Sequence, residues 1–194
     1  MFLKNFVQKT AGIDWSSAIP QWFDDLFGGR KIVGDDSSDI LVGGWGDDFI
    51  VANDGNDTVY GNFGDDFILG NTGDDTLYGG FGDDIIYGGV GNDHIYGGGG
   101  DDIIDGDRGF DTLTGGTGRD TFEFNVGPQF LGDGFDIVTD FKLGQDVISI
   151  KNGDQSLVGF VDVGRDVEVY YDGVLIAELE GVSRLPSNLN DFFA

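Results

Sequence analysis

The strongest constraint on this chain is a nine-residue repeat that runs without insertion from Gly34 to Glu123. Position six is Asp in every unit, and position eight is always a large apolar residue. Units that keep one phase in this way predict a solenoid, in which each repeat contacts only its neighbours. The ten units are GDDSSDILV, GGWGDDFIV, ANDGNDTVY, GNFGDDFIL, GNTGDDTLY, GGFGDDIIY, GGVGNDHIY, GGGGDDIID, GDRGFDTLT and GGTGRDTFE.

Each unit divides into a turn and a strand. Positions one to six are rich in glycine and aspartate, which suits a turn that needs positive φ and close backbone approach. Positions seven to nine are β-branched or aromatic, and they predict a short strand with the position-eight side chain inward. Two units then form one coil, and stacked coils bury a ladder of apolar side chains from Leu41 to Phe122.

Stacking sorts the position-six aspartates into two columns with a spacing of about 4.8 Å. Carboxylates so close repel one another, and a cation with oxygen ligands at about 2.3–2.6 Å fits between successive turns. Ligands that are all oxygens favour calcium over magnesium, which demands stricter geometry. Four gaps on each edge predict up to about eight calcium ions. One column is Asp39, Asp57, Asp75, Asp93 and Asp111, and the other is Asp48, Asp66, Asp84, Asp102 and Asp120.

The composition of the chain excludes several classes of binding partner and metal centre. The formal net charge of −26, from 36 acidic and 10 basic residues, leaves no basic patch for nucleic acid. The chain has no cysteine and a single histidine, His94, which excludes thiolate and histidine-rich metal centres. No stretch approaches the roughly 18 apolar residues of a membrane span.

The units resemble the GGxGxDxUx nonapeptides of the RTX (repeats-in-toxin) family over Gly34 to Glu123. The resemblance implies an all-β, right-handed parallel β-roll. It also implies calcium ligation by the position-six aspartates together with backbone carbonyls of the turn glycines. The departures are Asp35 and Ser37 in the first unit, and Arg108, Phe110 and Arg119 near the other end. The glycines concerned are Gly43, Gly44, Gly46, Gly61, Gly64, Gly70, Gly73, Gly79, Gly80, Gly82, Gly88, Gly89, Gly91, Gly97, Gly98 and Gly100.

The repeats divide the chain into three regions: residues 1–33, 34–123 and 124–194. In the first region, apolar residues from Asp14 to Phe27 follow helical spacing around Pro20, and we expect a short helical and aromatic cap. The third is expected to be a C-terminal β cap, with a hairpin at Asp172-Gly173. Its segment Gly134–Ile150 resembles the one that closes RTX rolls, where Asp136 and Asp146 are expected to hold one further ion.

Positions seven and nine point outward on both sheets. One face is apolar and too large to be left exposed, so we expect the N-terminal aromatics, the C-terminal hairpin or a second copy to cover it. The other face is a flat ladder of Thr and Tyr that includes His94, which we expect to be a surface residue. The first face is Phe49, Val51, Phe67, Leu69, Ile85, Tyr87 and Ile103, and the second is Thr58, Tyr60, Thr76, Tyr78, His94, Tyr96 and Thr112.

The sequence contains no HExxH or GxSxG motif, so we expect no catalytic activity. Residues LNDFFA at positions 189–194 resemble the uncleaved export signal of RTX proteins that use type I secretion machinery. The leading hypothesis is a secreted calcium-binding protein that folds on meeting external calcium, at the cell surface or in the matrix. The alternatives are a self-assembling structural unit and a calcium-dependent chaperone or secretion module of a split enzyme.

Overall fold

The computed structural model describes residues 28–126, 134–182, 185 and 192–193. These residues form a parallel β-solenoid with a short 3-10 helix at Gln155–Leu157. Within this described part of the chain, no helix is long and apolar enough to cross a membrane. The helix expected between residues 14 and 27 lies outside the described residues.

Consecutive strands alternate between two sheets up to the last coil, so that each coil contributes one strand to each sheet. This arrangement confirms the predicted coil of two units. Sheet A has the order β1 (Gly28–Val33), β3 (Asp47–Asp54), β5 (Phe67–Thr72), β7 (Ile85–Val90), β9 (Ile103–Arg108), β11 (Thr121–Asn125) and β13 (Val147–Lys151). Sheet B has the order β14 (Val158–Asp162), β15 (Val167–Tyr171), β16 (Val174–Leu179), β12 (Asp136–Val138), β10 (Thr112–Thr117), β8 (His94–Gly99), β6 (Thr76–Phe81), β4 (Thr58–Phe63) and β2 (Ile40–Trp45).

The strands of the repeat are longer than the three residues predicted. A typical strand, such as β4, covers positions seven to nine of one unit and positions one to three of the next. The position-one glycine is buried, and position two takes a positive φ, 81° at Asn62 and 122° at Gly80. The strand therefore bends at position two and passes into the turn without losing its pairing to the next coil.

The core is the predicted ladder of position-eight side chains. The members from Ile50 to Phe122 have no exposed surface, and Leu41 packs against the same cluster. Parallel pairing in register stacks each of these side chains on the one a coil away, as in Ile50 on Ile68. Because all the inward positions are apolar, the roll has one continuous core along its axis.

The two outer faces differ in burial. On sheet A, Phe49, Val51, Phe67 and Leu69 are at most 7% exposed within a single chain. This face is therefore covered without a second copy. On sheet B, the rings of Tyr60, Tyr78 and Tyr96 stack with centroids 5.0 and 4.9 Å apart, and His94 is exposed as expected.

A further coil and a hairpin close the C-terminal end of the roll. Strand β12 extends sheet B and strand β13 extends sheet A. The predicted hairpin is confirmed, because β15 and β16 pair antiparallel around Asp172 and Gly173, both with positive φ. Phe192 is fully buried there and stacks on Phe160 at 4.3 Å. At the other end, β1 pairs with β3, so sheet A begins within the segment assigned to the N-terminal cap.

Candidate metal centre

The position-six carboxylates form two continuous hydrogen-bonded ladders along the roll. In each ladder, the backbone N–H of one aspartate donates to Oδ1 of the aspartate one coil further on, as Asp66 does to Asp84 at 2.8 Å. The Asp57 edge contains Asp39, Asp57, Asp75, Asp93 and Asp111. The Asp66 edge contains Asp48, Asp66, Asp84, Asp102 and Asp120.

The second carboxylate oxygen has no hydrogen-bond partner in nine of the ten predicted aspartates. These nine side chains are at most 2% exposed, so water does not replace the missing partner. A buried polar atom without a partner costs roughly 1–3 kcal/mol, and a charged one costs more. A buried acceptor oxygen that lacks a partner in turn after turn indicates that these oxygens bind a ligand. The nine are Asp48, Asp57, Asp66, Asp75, Asp84, Asp93, Asp102, Asp111 and Asp120.

Backbone carbonyls of position-one glycines approach these free carboxylate oxygens. A Cβ placed on Gly79 would lie within 2.7 Å of both Asp84 Oδ2 and the carbonyl oxygen of Gly97. The two oxygens therefore converge on one small space that the glycine leaves open, and Ala52 is the exception at this position, in the third unit. The same arrangement recurs along both edges at Gly43, Gly61, Gly70, Gly88 and Gly97.

The other predicted glycines shape the turn in a different way. Gly82 has φ of 129°, and a Cβ there would collide with the carbonyl of Gly64 one coil earlier. Position-four glycines thus stack backbone on backbone, and the same holds for Gly64, Gly73, Gly91 and Gly100. Positive φ also occurs at Gly44, Gly46, Gly80, Gly89 and Gly98. Of the predicted carbonyls, the structure brings those of position one beside the carboxylates.

The ends of the ladders depart from the repeat. Asp39 differs from the other nine because its Oδ2 accepts the N–H of Asp35 at 2.9 Å. At the far end, Asp136 accepts from Asp111 and extends the Asp57 edge, while Asp146 accepts from Asp120 and extends the Asp66 edge. The expectation that Asp136 and Asp146 share one ion is therefore wrong, because they lie on different edges.

Two glycine site residues were missed in the sequence, in addition to Ala52, whose carbonyl lies beside Gly34 and Asp39 Oδ2. The carbonyls of Gly106 and Gly115 lie beside Gly88 and Gly97, in the same arrangement as the predicted members. Both glycines occupy position one of a unit, so they could have been identified from their place in the repeat.

Burial raises the pKa of the ladder carboxylates far above the usual range of aspartate. The pKa is raised to about 8 at Asp84 and Asp93, first by burial and further by the charges of neighbouring aspartates. It is raised to about 7 at Asp66, Asp75 and Asp102, and to about 6 at Asp111 and Asp120, for the same leading reason. Without a cation, ionised carboxylates therefore oppose the closed roll at neutral pH.

These residues fit a hard divalent cation. Within the described ranges, no three acidic or histidine side chains converge on one point, so a site must combine carboxylate oxygens with backbone carbonyls. Calcium accepts such mixed oxygen ligands in flexible geometry. Fold and site together define a parallel β-roll whose turns present buried carboxylate oxygens and backbone carbonyls suited to a hard divalent cation.

The family that matches is described as the RTX calcium-binding nonapeptide repeat. Four copies match, at residues 31–59, 60–95, 78–113 and 96–127. The chain belongs to this RTX family, whose repeats bind calcium. The family resemblance inferred from the repeat is thus confirmed.

Among solved structures, the chain is similar to a subunit of the Azotobacter vinelandii mannuronan C5-epimerase, determined in solution. The two are 30% identical, with 65% of this chain and 78% of that chain covered and a TM-score of 0.46. No curated protein matches the chain significantly.

A group of buried charges lies outside the two ladders, on sheet A. Lys151 Nζ pairs with Glu123, lies 4.0 Å from Asp105 Oδ2 and sits 5.2 Å from the centroid of the Tyr87 ring. Asn125 Nδ2 donates to Asp105 Oδ2 at 2.9 Å. Burial raises the pKa of Asp105 well above its usual range. Lys151 thus neutralises two buried carboxylates, Asp105 and Glu123, at the point where the outer face of sheet A changes from apolar to acidic.

Proposed function

We propose that this protein is a secreted, non-enzymatic calcium-binding protein whose roll closes when calcium binds outside the cell, at the cell surface or in the extracellular matrix. The single observation that carries the proposal is the row of nine buried Oδ2 atoms without a partner. Their positions repeat on every coil, which favours the binding of many ions in similar sites over a single reactive centre.

In the proposed sites, each ion takes Oδ2 of a position-six aspartate and the position-one carbonyl that faces it, completed by further turn carbonyls. The pair formed by Asp84 Oδ2 and the Gly97 carbonyl is a representative example of such a site. Asp39 is the weakest ligand of the ten, because its Oδ2 already accepts a hydrogen bond. The gaps between Asp111 and Asp136 and between Asp120 and Asp146 add one place at the end of each edge, beyond the eight first counted.

The proposed location of the protein outside the cell follows from the calcium affinity expected of such sites. Extracellular calcium modules bind with a Kd of around 10⁻⁴–10⁻³ M, far above free calcium in the cytosol. Since carboxylates with a raised pKa oppose closure at neutral pH, binding energy is needed for folding. Inside the cell the repeats would then remain open, and outside they would close.

Export by type I secretion machinery is part of the proposal, on the resemblance of residues 189–194 to its signal. Phe192 is fully buried against Phe160 and Phe141 in the folded chain. This burial supports recognition of the segment before folding, when its aromatic rings are accessible.

The alternative of self-assembly through the apolar face of sheet A loses its main support. Phe49 and Phe67 are 5% and 7% exposed within one chain, so that face offers little surface to a second copy. For the split-enzyme alternative, no feature of the described residues favours it over the proposal.

The test is a calcium titration followed by circular dichroism, with Asp84→Asn as the variant. We expect the wild type to gain β structure between roughly 10⁻⁴ and 10⁻³ M calcium and to lose it in chelator. Asp84→Asn removes one free Oδ2, so it should bind fewer ions by equilibrium dialysis. Its neutral amide can donate to the Gly97 carbonyl, which should make closure less dependent on calcium.

The matched control is Asp162→Asn, which makes the same charge change in strand β14. Asp162 is exposed, and its Oδ1 accepts from Gly164, a role that an asparagine oxygen can fill. It should leave the ion count unchanged. A β-rich spectrum that persists without change in chelator would defeat the proposal.

A further inference from the structure

The two edges of the roll present identical ladders of ligand carboxylates but different residues immediately before them. On both edges the position-six N–H donates to Oδ1 of the next coil, and Oδ2 is buried and free. Any difference between the edges in calcium binding must therefore come from residues outside this inner ladder.

Position five forms a second, exposed ladder that runs in the opposite direction. Its N–H groups donate to the position-five side chain one coil earlier, as Asp83 does to Asp65 Oδ1 at 2.9 Å. On the other edge Asp74 donates to Asn56 Oδ1 at 3.1 Å, and Phe110 donates to Asn92 Oδ1 at 3.0 Å. An amide oxygen accepts this hydrogen bond as well as a carboxylate does, so the ladder itself needs no charge.

The charge at position five nevertheless differs between the edges. On the Asp66 edge, position five is Asp47, Asp65, Asp83, Asp101 and Arg119; on the Asp57 edge, it is Ser38, Asn56, Asp74, Asn92 and Phe110. The three gaps from Asp48 to Asp102 are thus each flanked by two position-five carboxylates, which are exposed at Asp65, Asp83 and Asp101 and half-buried at Asp47. No gap of the Asp57 edge has more than one at this position.

Other acidic turn residues do not reverse this difference in the middle of the roll. On the Asp57 edge, Asp35, Asp36 and Asp54 belong to the first two turns, and Asp107 lies beside Arg108 in the last turn of the repeat. The central gap of that edge, between Asp75 and Asp93, has Thr72 and Val90 at position three.

We infer that the roll carries two classes of calcium site, and that the three gaps between Asp48 and Asp102 hold calcium more tightly than the central gap of the Asp57 edge, between Asp75 and Asp93. The inference rests on the proposed calcium sites and adds an order of filling to them. A unit charge about 6 Å from a divalent ion changes its affinity roughly tenfold, even at the dielectric constant of water. The Asp66 edge therefore fills first as calcium rises, and the Asp57 edge completes the roll at higher calcium.

The test is calcium release from the fully loaded protein, mixed with a fluorescent chelator in a stopped-flow instrument. Because affinity differences between similar sites lie mostly in the dissociation rate, the wild type should release calcium in two phases about tenfold apart. Asp83→Asn retains the Oδ1 acceptor and should speed part of the slow phase about tenfold. Asn92→Asp adds the missing carboxylate beside the gap between Asp75 and Asp93, and should slow part of the fast phase by a similar factor.

The pair of substitutions separates this inference from the proposed function. Release of calcium from the wild type in a single phase would overturn the inference while leaving calcium binding intact. The inference would also be overturned if both variants changed the release rate of all the bound calcium equally. Failure of the wild type to bind any calcium would overturn the proposed function itself. If Asp83→Asn does not fold, Asn92→Asp still decides the outcome, because it adds affinity and removes none.

Discussion

At the scale of single residues, the aspartate at position six has two oxygens with different tasks. Oδ1 accepts a backbone N–H from the coil before it, which fixes the turn, and Oδ2 is left free for a cation. A glutamate could not reproduce this, because its longer side chain would move both oxygens away from the glycine that faces them. This division of tasks explains why the residue is aspartate in every unit.

At Gly79, glycine at position one is required by space and not by φ. Gly79→Ala would place a methyl group within 2.7 Å of Asp84 Oδ2 and the Gly97 carbonyl. We expect it to destabilise the calcium-loaded roll by about 1–3 kcal/mol through overpacking and to raise the calcium concentration needed for closure. Urea unfolding at saturating calcium measures the first effect, and a titration measures the second.

Gly159→Ala is the matched control for that substitution. Gly159 lies in strand β14, has no atom near its missing Cβ and has no positive φ. It should change the free energy of unfolding by less than about 0.5 kcal/mol. Equal losses in the two variants would mean that the space beside Asp84 is not the cause.

At the scale of elements, the strands of sheet A change character along the roll. The position-nine column begins with Val51, Leu69 and Tyr87 and continues with Asp105 and Glu123. The two acids are buried, and Lys151 from strand β13 is the cation that joins them. The last coil is thus attached to the repeat by charge as well as by strand pairing.

Lys151→Met should therefore destabilise the calcium-loaded protein, by roughly 3–5 kcal/mol, because it leaves two buried carboxylates without their cation. The loss should shrink as pH falls, because burial raises the pKa of Asp105 and so favours its protonation. Urea unfolding at pH 8 and pH 6 measures both effects. Lys142→Met is the control, since Lys142 is partly exposed, pairs with Asp140 at 3.8 Å and donates to the Gly116 carbonyl, and its loss should cost about 1 kcal/mol. A Lys151→Met loss no larger than the control would contradict the expectation.

How much the sequence could predict depends on where the period holds. Within Gly34–Glu123 the phase alone identifies the inward residues and both aspartate columns, and the structure agrees with these assignments. The extra three residues of each strand were not predictable, because glycine and asparagine rarely favour strands. Asp136 lies 25 residues after Asp111, and the broken period hid its place in the ladder.

At the scale of the whole molecule, the raised pKa values make the calcium-free roll sensitive to pH. The folded pKa of Asp66, Asp75, Asp84, Asp93 and Asp102 is about 7 to 8, above the ordinary value of 3.8. The closed roll therefore keeps protons that the open chain releases. Its stability is greatest below about pH 4 and is lost as pH rises towards 8.

We therefore expect calcium-stripped protein to be more structured at pH 5.5 than at pH 8, by circular dichroism at low protein concentration. The same linkage predicts that calcium binding at pH 7 releases protons, measured as a dependence of the calorimetric heat on the ionisation enthalpy of the buffer. Calcium-stripped protein that is more structured at pH 8 would contradict this, as would binding without proton release.

The inner ladder also gives the molecule a direction. Each position-six N–H depends on the coil that follows it in sequence, ending with Asp111 on Asp136 and Asp120 on Asp146. Shortening the roll from its first coil leaves every remaining position-six amide with its acceptor, whereas shortening it from the last coil removes the acceptors of two buried position-six donors at once. The position-six ladder is therefore anchored at its C-terminal end, and local unfolding of the roll should begin at its N-terminal end.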